Sequence, residues 1–139
     1  MAWVVDTCVL IDIAENDPQF GHTSAACLQK YSRNGLVVCP VTSVELAPVF
    51  LGHVEHLRAF YETCGVMDSE PFDMEDTEAA FTAWNRYVLK KRTGHVPKRP
   101  IADILIGGFA LRFDGLITRN HQDFAQTFPK LKLILPGKQ

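Results

Sequence analysis

Four acidic or amide residues stand at the edges of apolar runs. They are Asp6 in Val4-Val5-Asp6-Thr7, Glu45 in Thr42-Ser43-Val44-Glu45-Leu46, Asp103 in Pro100-Ile101-Ala102-Asp103-Ile104-Leu105-Ile106, and Asn120 in Leu116-Ile117-Thr118-Arg119-Asn120. A carboxylate beside a buried strand or helix is costly unless something pairs with it. Several brought together repel one another, and a divalent cation is the simplest way to hold them in one place. Mg²⁺ or Mn²⁺ takes oxygen ligands, lowers the pKa of a bound water and stabilises a leaving oxygen. No serine, cysteine or histidine stands in a recognisable nucleophile motif, so metal-activated water is preferred to covalent catalysis. The chemistry these residues suit is hydrolysis of a phosphodiester.

Each residue also has a plainer reading. Asp6 at a strand end and Asn120 after one are turn formers. Glu45 in the first turn of a helix suits the helix dipole. Asp103, sunk in an apolar helix, has the poorest structural reason to be there. Arg119 fits a substrate phosphate or an exposed ion pair equally, and Asp12 reads as a solvated position on a short helix.

The elements that position these residues alternate between strand and helix. Trp3-Val4-Val5, Leu36-Val37-Val38-Cys39 and Leu116-Ile117-Thr118 read as buried strands, with shorter ones at Val66-Met67 and Leu133-Ile134-Leu135. Helices are expected from Val9 to about Asn16, from Thr23 to Arg33 and from Val54 to Cys64 before Gly65. Another begins at Thr42 or Ser43 and contains Pro48, which kinks or shortens it. A long helix capped by Asp73 runs to about Arg92, and Pro100 opens a nearly all-apolar helix to Arg112. A short helix follows near Asp123 to Thr127. Gly107-Gly108, in mid-helix, are expected to serve close packing and not phosphate binding. Apolar strands alternating with helices imply a parallel sheet covered on both faces. Ligands then bind at the carboxyl ends of the strands, where Asp6 and Asn120 fall.

The 139 residues fit one domain spanning 1–139, and 47% apolar content excludes a disordered chain. No apolar run approaches the roughly 20 residues of a membrane span. The start, Met1-Ala2-Trp3-Val4-Val5-Asp6, meets a charge too early for a signal peptide, so a soluble, cytoplasmic protein is expected. Cys8, Cys27, Cys39 and Cys64 show no C-x-x-C spacing and read as small hydrophobes. His53 and His56 lack the zinc-helix spacing and read as solvent-facing. The net charge of −2 gives no bulk attraction to nucleic acid, but the stretch Arg86, Lys90, Lys91, Arg92, Lys98, Arg99 carries no acid. It suits a polyanion approaching the carboxylates, or simply a helix end.

The ordered set Val5-Asp6-Thr7-Cys8-Val9-Leu10-Ile11-Asp12, Ser43-Val44-Glu45-Leu46, Pro100-Ile101-Ala102-Asp103-Ile104-Leu105-Ile106-Gly107 and Thr118-Arg119-Asn120 with Asp123-Phe124 resembles a PIN-domain ribonuclease. More narrowly, it resembles a VapC-type toxin of a bacterial toxin–antitoxin pair. The resemblance implies a three-layer α/β/α PIN-like fold with a central parallel sheet and an Mg²⁺- or Mn²⁺-dependent endoribonuclease activity. It implies that Asp6, Glu45 and Asp103 are metal ligands and that Asn120 orients a ligand or water. It also implies that Asp123 supplies charge to the metal through a water. Thr7 and Thr118 match hydroxyl positions that hydrogen-bond the site carboxylates, whereas Cys8 departs from the usual small polar residue. Thr7, Thr118, Arg119, Lys98 and Arg99 are the candidate contacts to the RNA substrate. The implied partners are a cognate antitoxin protein and a second copy in a homodimer, with no membrane.

Two other classes fit an acidic Mg²⁺ site. A haloacid-dehalogenase-like phosphatase needs D-x-D after the first strand, where this chain has Asp6-Thr7-Cys8. A receiver domain needs a lysine near the last strand that is not clearly placed here. The remaining alternative is an inactive PIN-like binding module, against which the acidic set argues.

Overall fold

The computed structural model describes residues 2–93 and 101–138. Among these residues five short strands form one sheet: β1 (Trp3–Val5), β2 (Leu36–Val37), β3 (Val66–Met67), β4 (Gly115–Ile117) and β5 (Leu133–Ile134). Their order is β3-β2-β1-β4-β5, every pair parallel. Seven helices connect them among the described residues: α1 (Thr7–Ala14), α2 (Gly21–Tyr31), α3 (Pro40–Glu45), α4 (Val54–Cys64), α5 (Met74–Thr93), α6 (Ile101–Ala110) and α7 (His121–Thr127). A parallel strand pair requires a crossover that returns the chain to the other end of the sheet, and these helices supply it.

The strands alternate their side chains between two cores, as the period of two demands. Val4, Val37 and Leu116 point to a core built with Ala80, Ala83, Ile104, Phe109 and Phe124 from α5, α6 and α7. Val5, Leu36, Val66 and Ile117 point to a second core with Val9, Leu10, Leu28, Leu57 and Tyr61 from α1, α2 and α4. The result is the three-layer α/β/α architecture with a central parallel sheet that the sequence implied. Val4, Val5, Leu116 and Ile117 are fully buried, which is why these strands read as continuous apolar runs. Among the described residues, no helix is long and apolar enough to cross a membrane.

Local signals account for most boundaries. Gly65 ends α4 in the left-handed conformation, φ 71°, where glycine carries no Cβ penalty. Asp73 accepts from the Asp76 backbone N–H and Asp76 returns the bond to Asp73 N–H, both at 3.0 Å, a reciprocal cap on α5. A Cβ at Gly107 would run into the ring of Phe128, and one at Gly108 would lie 3.0 Å from Ala80 N and Asp76 O on α5. Close packing is therefore the role of both glycines.

Two expectations need correction. The helix expected to begin at Thr42 or Ser43 starts at Pro40, which occupies the first turn where its missing N–H costs nothing. It stops at Glu45, three residues before Pro48, and the chain turns through residues 47–52 with Leu51 and Gly52 at positive φ. Glu45 consequently ends its helix and does not serve the N-terminal dipole. The helix expected from Thr23 to Arg33 begins at Gly21 and passes into a 3₁₀ turn, Ser32–Asn34, before Gly35.

Candidate active site

The order of the sheet reverses at β1 and β4. The chain leaves β1 toward β2 and β3 on one side, and β4 and β5 lie on the other. The crevice beyond the carboxyl ends of these two central strands is where an open parallel sheet binds ligands. Asp6 follows β1 directly and Thr118 follows β4 directly. α3 leaves the same edge after β2. α6 must run antiparallel to the strands to deliver the chain to the start of β4, so its first turn, which holds Asp103, lies toward that edge. α3 and α6 pack against each other.

Asp6 is the centre of this crevice. It is only 3% exposed and caps α1, its Oδ1 accepting the Thr7 backbone N–H at 2.8 Å. Its Oδ2 accepts the Thr118 hydroxyl at 2.7 Å and the Cys8 thiol at 3.4 Å. The Thr118 hydroxyl in turn accepts the Asn120 backbone N–H at 3.0 Å. Thr7 Oγ1 donates to Glu45 Oε1 at 2.6 Å and lies 3.0 Å from Thr42 Oγ1. Asp6 and Glu45 are thus joined through one threonine. Burial pushes the Asp6 carboxyl above its ordinary pKa; the donors Thr118, Cys8 and Thr7 oppose that shift, and the Glu45 charge adds to it. Burial and the Asp6 charge together push the Cys8 thiol up to about 12, so it acts as a donor.

No lysine, arginine or histidine neutralises Asp6 among the described residues. Nor do three or more histidine, cysteine, aspartate or glutamate side chains among the described residues form a group that could hold a metal ion. A hard cation such as Mg²⁺ takes one or two carboxylates and keeps several waters. Asp6 and Glu45, one buried and one exposed to solvent, fit that partial coordination.

The remaining expected residues fall into different surroundings. Asp103 is half-buried in the first turn of α6. Asn120 is exposed at the N-cap of α7 and caps nothing with its side chain; its link to the site is its backbone N–H. Asp123 is exposed in the first turn of α7. Lys98 and Arg99 lie outside the described residues. His53 and His56 are exposed, as expected. Arg86 donates to the Thr127 carbonyl at 3.0 Å, satisfying the carboxyl end of α7.

Arg119 and Asp12 differ most from expectation. Asp12 is 3% exposed and not solvated. Arg119 forks onto it, Nε to Oδ2 at 2.6 Å and Nη2 to Oδ1 at 2.9 Å, while Ser24 Oγ donates to Oδ2 at 3.1 Å. The guanidinium lies 4.1 Å above the Phe20 ring. Reading the sequence also missed Thr42 and the donor role of Cys8. Cys8 was readable as a polar group one residue into the helix that Asp6 caps. The Thr42 contact and the Asp12 pair span 35 and 107 residues and left no local signal.

No family model and no curated protein matches this sequence. Solved structures do. A chain of the VapBC2 complex from Rickettsia felis, crystallised with a DNA fragment from its promoter, superposes with a TM-score of 0.69 at 15% identity, over 97% of this chain and 98% of its own. A chain of VapBC-1 from nontypeable Haemophilus influenzae gives 0.67 at 23% identity, over 99% and 100%. A chain of FitAcB from Neisseria gonorrhoeae gives 0.68 at 17% identity, over 100% of both. At these identities the shared property is the fold, and it extends over the whole chain.

Proposed function

We propose that this chain is an Mg²⁺- or Mn²⁺-dependent endoribonuclease of the PIN type, the toxin of a toxin–antitoxin pair. The observation that carries this reading is Asp6: a buried carboxylate at the switch point of the sheet, held by neutral donors, without a cationic partner among the described residues, and joined to Glu45 through Thr7. A divalent cation relieves that arrangement and an exposed Glu45 gives it access. Asp6 and Glu45 would hold the cation; Asp103, in the first turn of α6, would be a further acid acting from outside that pair. Asn120 and Asp123 would bear on it from the start of α7. When bound, the cation supplies an activated water and a counter-charge for the leaving oxygen.

The chain's own residues do the remaining work. Thr118 and Cys8 fix the direction of Asp6 Oδ2, and Thr7 fixes Glu45. Thr7 and Thr118, with Lys98 and Arg99 as polyanion contacts, border the RNA. The superposed chains come from complexes named VapBC and FitAcB, which supports a small antitoxin as protein partner. A homodimer follows from the resemblance. The test is cleavage of structured RNA by the purified protein: activity with Mg²⁺ or Mn²⁺, none with EDTA, and none in Asp6→Asn or Asp103→Asn. Two variants that cut as fast as the parent would place the chemistry elsewhere.

A further inference from the structure

Arg119 is the middle one of three consecutive residues, and its neighbours on both sides hold the site. Thr118 donates to Asp6 Oδ2 at 2.7 Å, and Asn120 donates its backbone N–H to that same hydroxyl at 3.0 Å. Arg119 turns away from them and forks onto Asp12. Asp12 lies on α1, the helix that Asp6 caps, about 9 Å further along its axis at the helical rise per residue. Residues 118–120 therefore grip one helix at two points, once at the carboxylate of its cap and once at a carboxylate near its end.

Asp12 occupies the Nε–Nη2 edge, one of the two planar edges with which a guanidinium binds an oxyanion through two parallel bonds. The flat face rests on Phe20. Moving Arg119 to a substrate would strand a buried carboxylate, which is strongly unfavourable. The geometry points to Arg119 and Asp12 as positioning residues: their fork sets residues 118–120 so that the Thr118 hydroxyl meets Asp6 Oδ2, and so holds the Asp6 carboxylate in one orientation toward the cation. This assignment rests on the metal-dependent nuclease reading and replaces a substrate-contact role for Arg119.

The test uses the full chain with Asp12→Asn, Arg119→Gln and the double variant, in which two amides face each other and no charge is left buried. Three quantities are measured: hydrogen exchange at the Asn120 amide, Mn²⁺ affinity, and cleavage kinetics as a function of salt. Each single variant is expected to speed Asn120 exchange about tenfold. Mn²⁺ affinity and kcat should each fall by about 10–100-fold, as when a group supporting a metal ligand is lost. KM and the salt dependence should stay as in the parent. The double variant should lie closer to the parent than either single one, since the two changes act on one contact. A phosphate contact predicts otherwise: Arg119→Gln alone would raise KM and reduce the log–log salt slope by about one. That result, or unchanged Asn120 exchange in both single variants, overturns the assignment. A parent protein that binds Mn²⁺ but cuts no RNA defeats the nuclease reading alone, and exchange and Mn²⁺ affinity still decide the positioning role. Should a single variant fail to fold, the double variant decides it: parent-like values sustain the role of the contact, and a phosphate-type KM and salt shift refutes it.

Discussion

Asp76 and Asp6 are buried to nearly the same depth, 1% and 3% exposed, yet they are compensated in opposite ways. Asp76 sits in the first turn of α5 and receives Arg112 on both oxygens at 3.0 Å. That arginine also reaches Asp73 at 3.3 Å and donates to the Pro71 carbonyl at 2.7 Å, and it stacks on Phe109 and Phe113. Asp12 is treated in the same way by Arg119. Among the described residues Asp6 has hydroxyl, thiol and amide donors only, with a second acid nearby. Among the described residues, an arginine meets two of these buried aspartates and none meets the third, which keeps its negative charge beside Glu45. The contrast separates two arginine-paired structural carboxylates from one that, on the proposed reading, takes a divalent cation instead.

Removing a counter-charge should therefore be severe at Asp76. Arg112→Ala leaves that carboxylate buried and unpaired, at a cost of about 3–5 kcal/mol. In a domain of this size the midpoint of thermal unfolding should fall by about 10–15 °C. Metal affinity should stay at the parent value, because Arg112 bonds Asp76, Asp73 and Pro71 and none of these is a site residue. Differential scanning calorimetry and Mn²⁺ titration measure the two halves. A loss of only a degree or two would show that Asp76 is not an obligate ion pair, and the contrast with Asp6 would weaken.

The difference between the two kinds of carboxylate was only partly legible in the sequence. The strands were, because a strand buried on both faces must read as an uninterrupted apolar run, as Trp3-Val4-Val5 and Leu116-Ile117 do. α4 and α5 were, because Gly65 and Asp73 are local stop and start signals. The acids of the site stood out as charges beside apolar runs, and Thr7 and Thr118 were recognised with them. Partners distant along the chain were not legible. Nothing near Asp12 announces Arg119, so a buried ion pair read as a solvated side chain. Glu45 was assigned to the wrong end of its helix because Thr42 and Ser43 looked like caps. Thr42 is instead buried against Thr7, and Pro40 starts the helix.

A smaller effect comes from stripping a neutral donor off Asp6. Thr118→Val keeps the shape of the side chain and deletes the hydroxyl that donates to Asp6 Oδ2 and accepts from Asn120. A hydrogen bond to a charged group is worth about 1.5–3 kcal/mol, so urea denaturation should show a loss in that range. Mn²⁺ binding should weaken about tenfold, because the carboxylate proposed to receive the cation is no longer fixed. If stability falls while Mn²⁺ affinity holds, Thr118 serves only the fold, and Asp6 is set by Thr7 and the helix cap.

The smallest effect has the opposite sign and is the most diagnostic. Asp6→Asn removes a buried charge, and asparagine remains a good N-cap for α1. Without metal the variant should be as stable as the parent or more so, by up to about 1 kcal/mol, where Arg112→Ala costs several. The pH dependence follows from the raised Asp6 pKa, for which burial is the chief cause. In EDTA the folded parent keeps the Asp6 proton at pH values where the unfolded chain has lost it. The stability associated with this group is therefore full below the ordinary aspartate pKa and is lost as pH rises from there through the raised folded value. Asp6→Asn should abolish that loss. Added Mn²⁺ should stabilise the parent above the raised pKa and leave the variant unmoved. Thermal melts of both proteins across pH, with and without Mn²⁺, provide the measurement. A parent that gains stability relative to Asp6→Asn as pH rises in EDTA would mean that Asp6 already has its counter-charge within the fold, and the distinction between Asp6 and Asp76 would be lost.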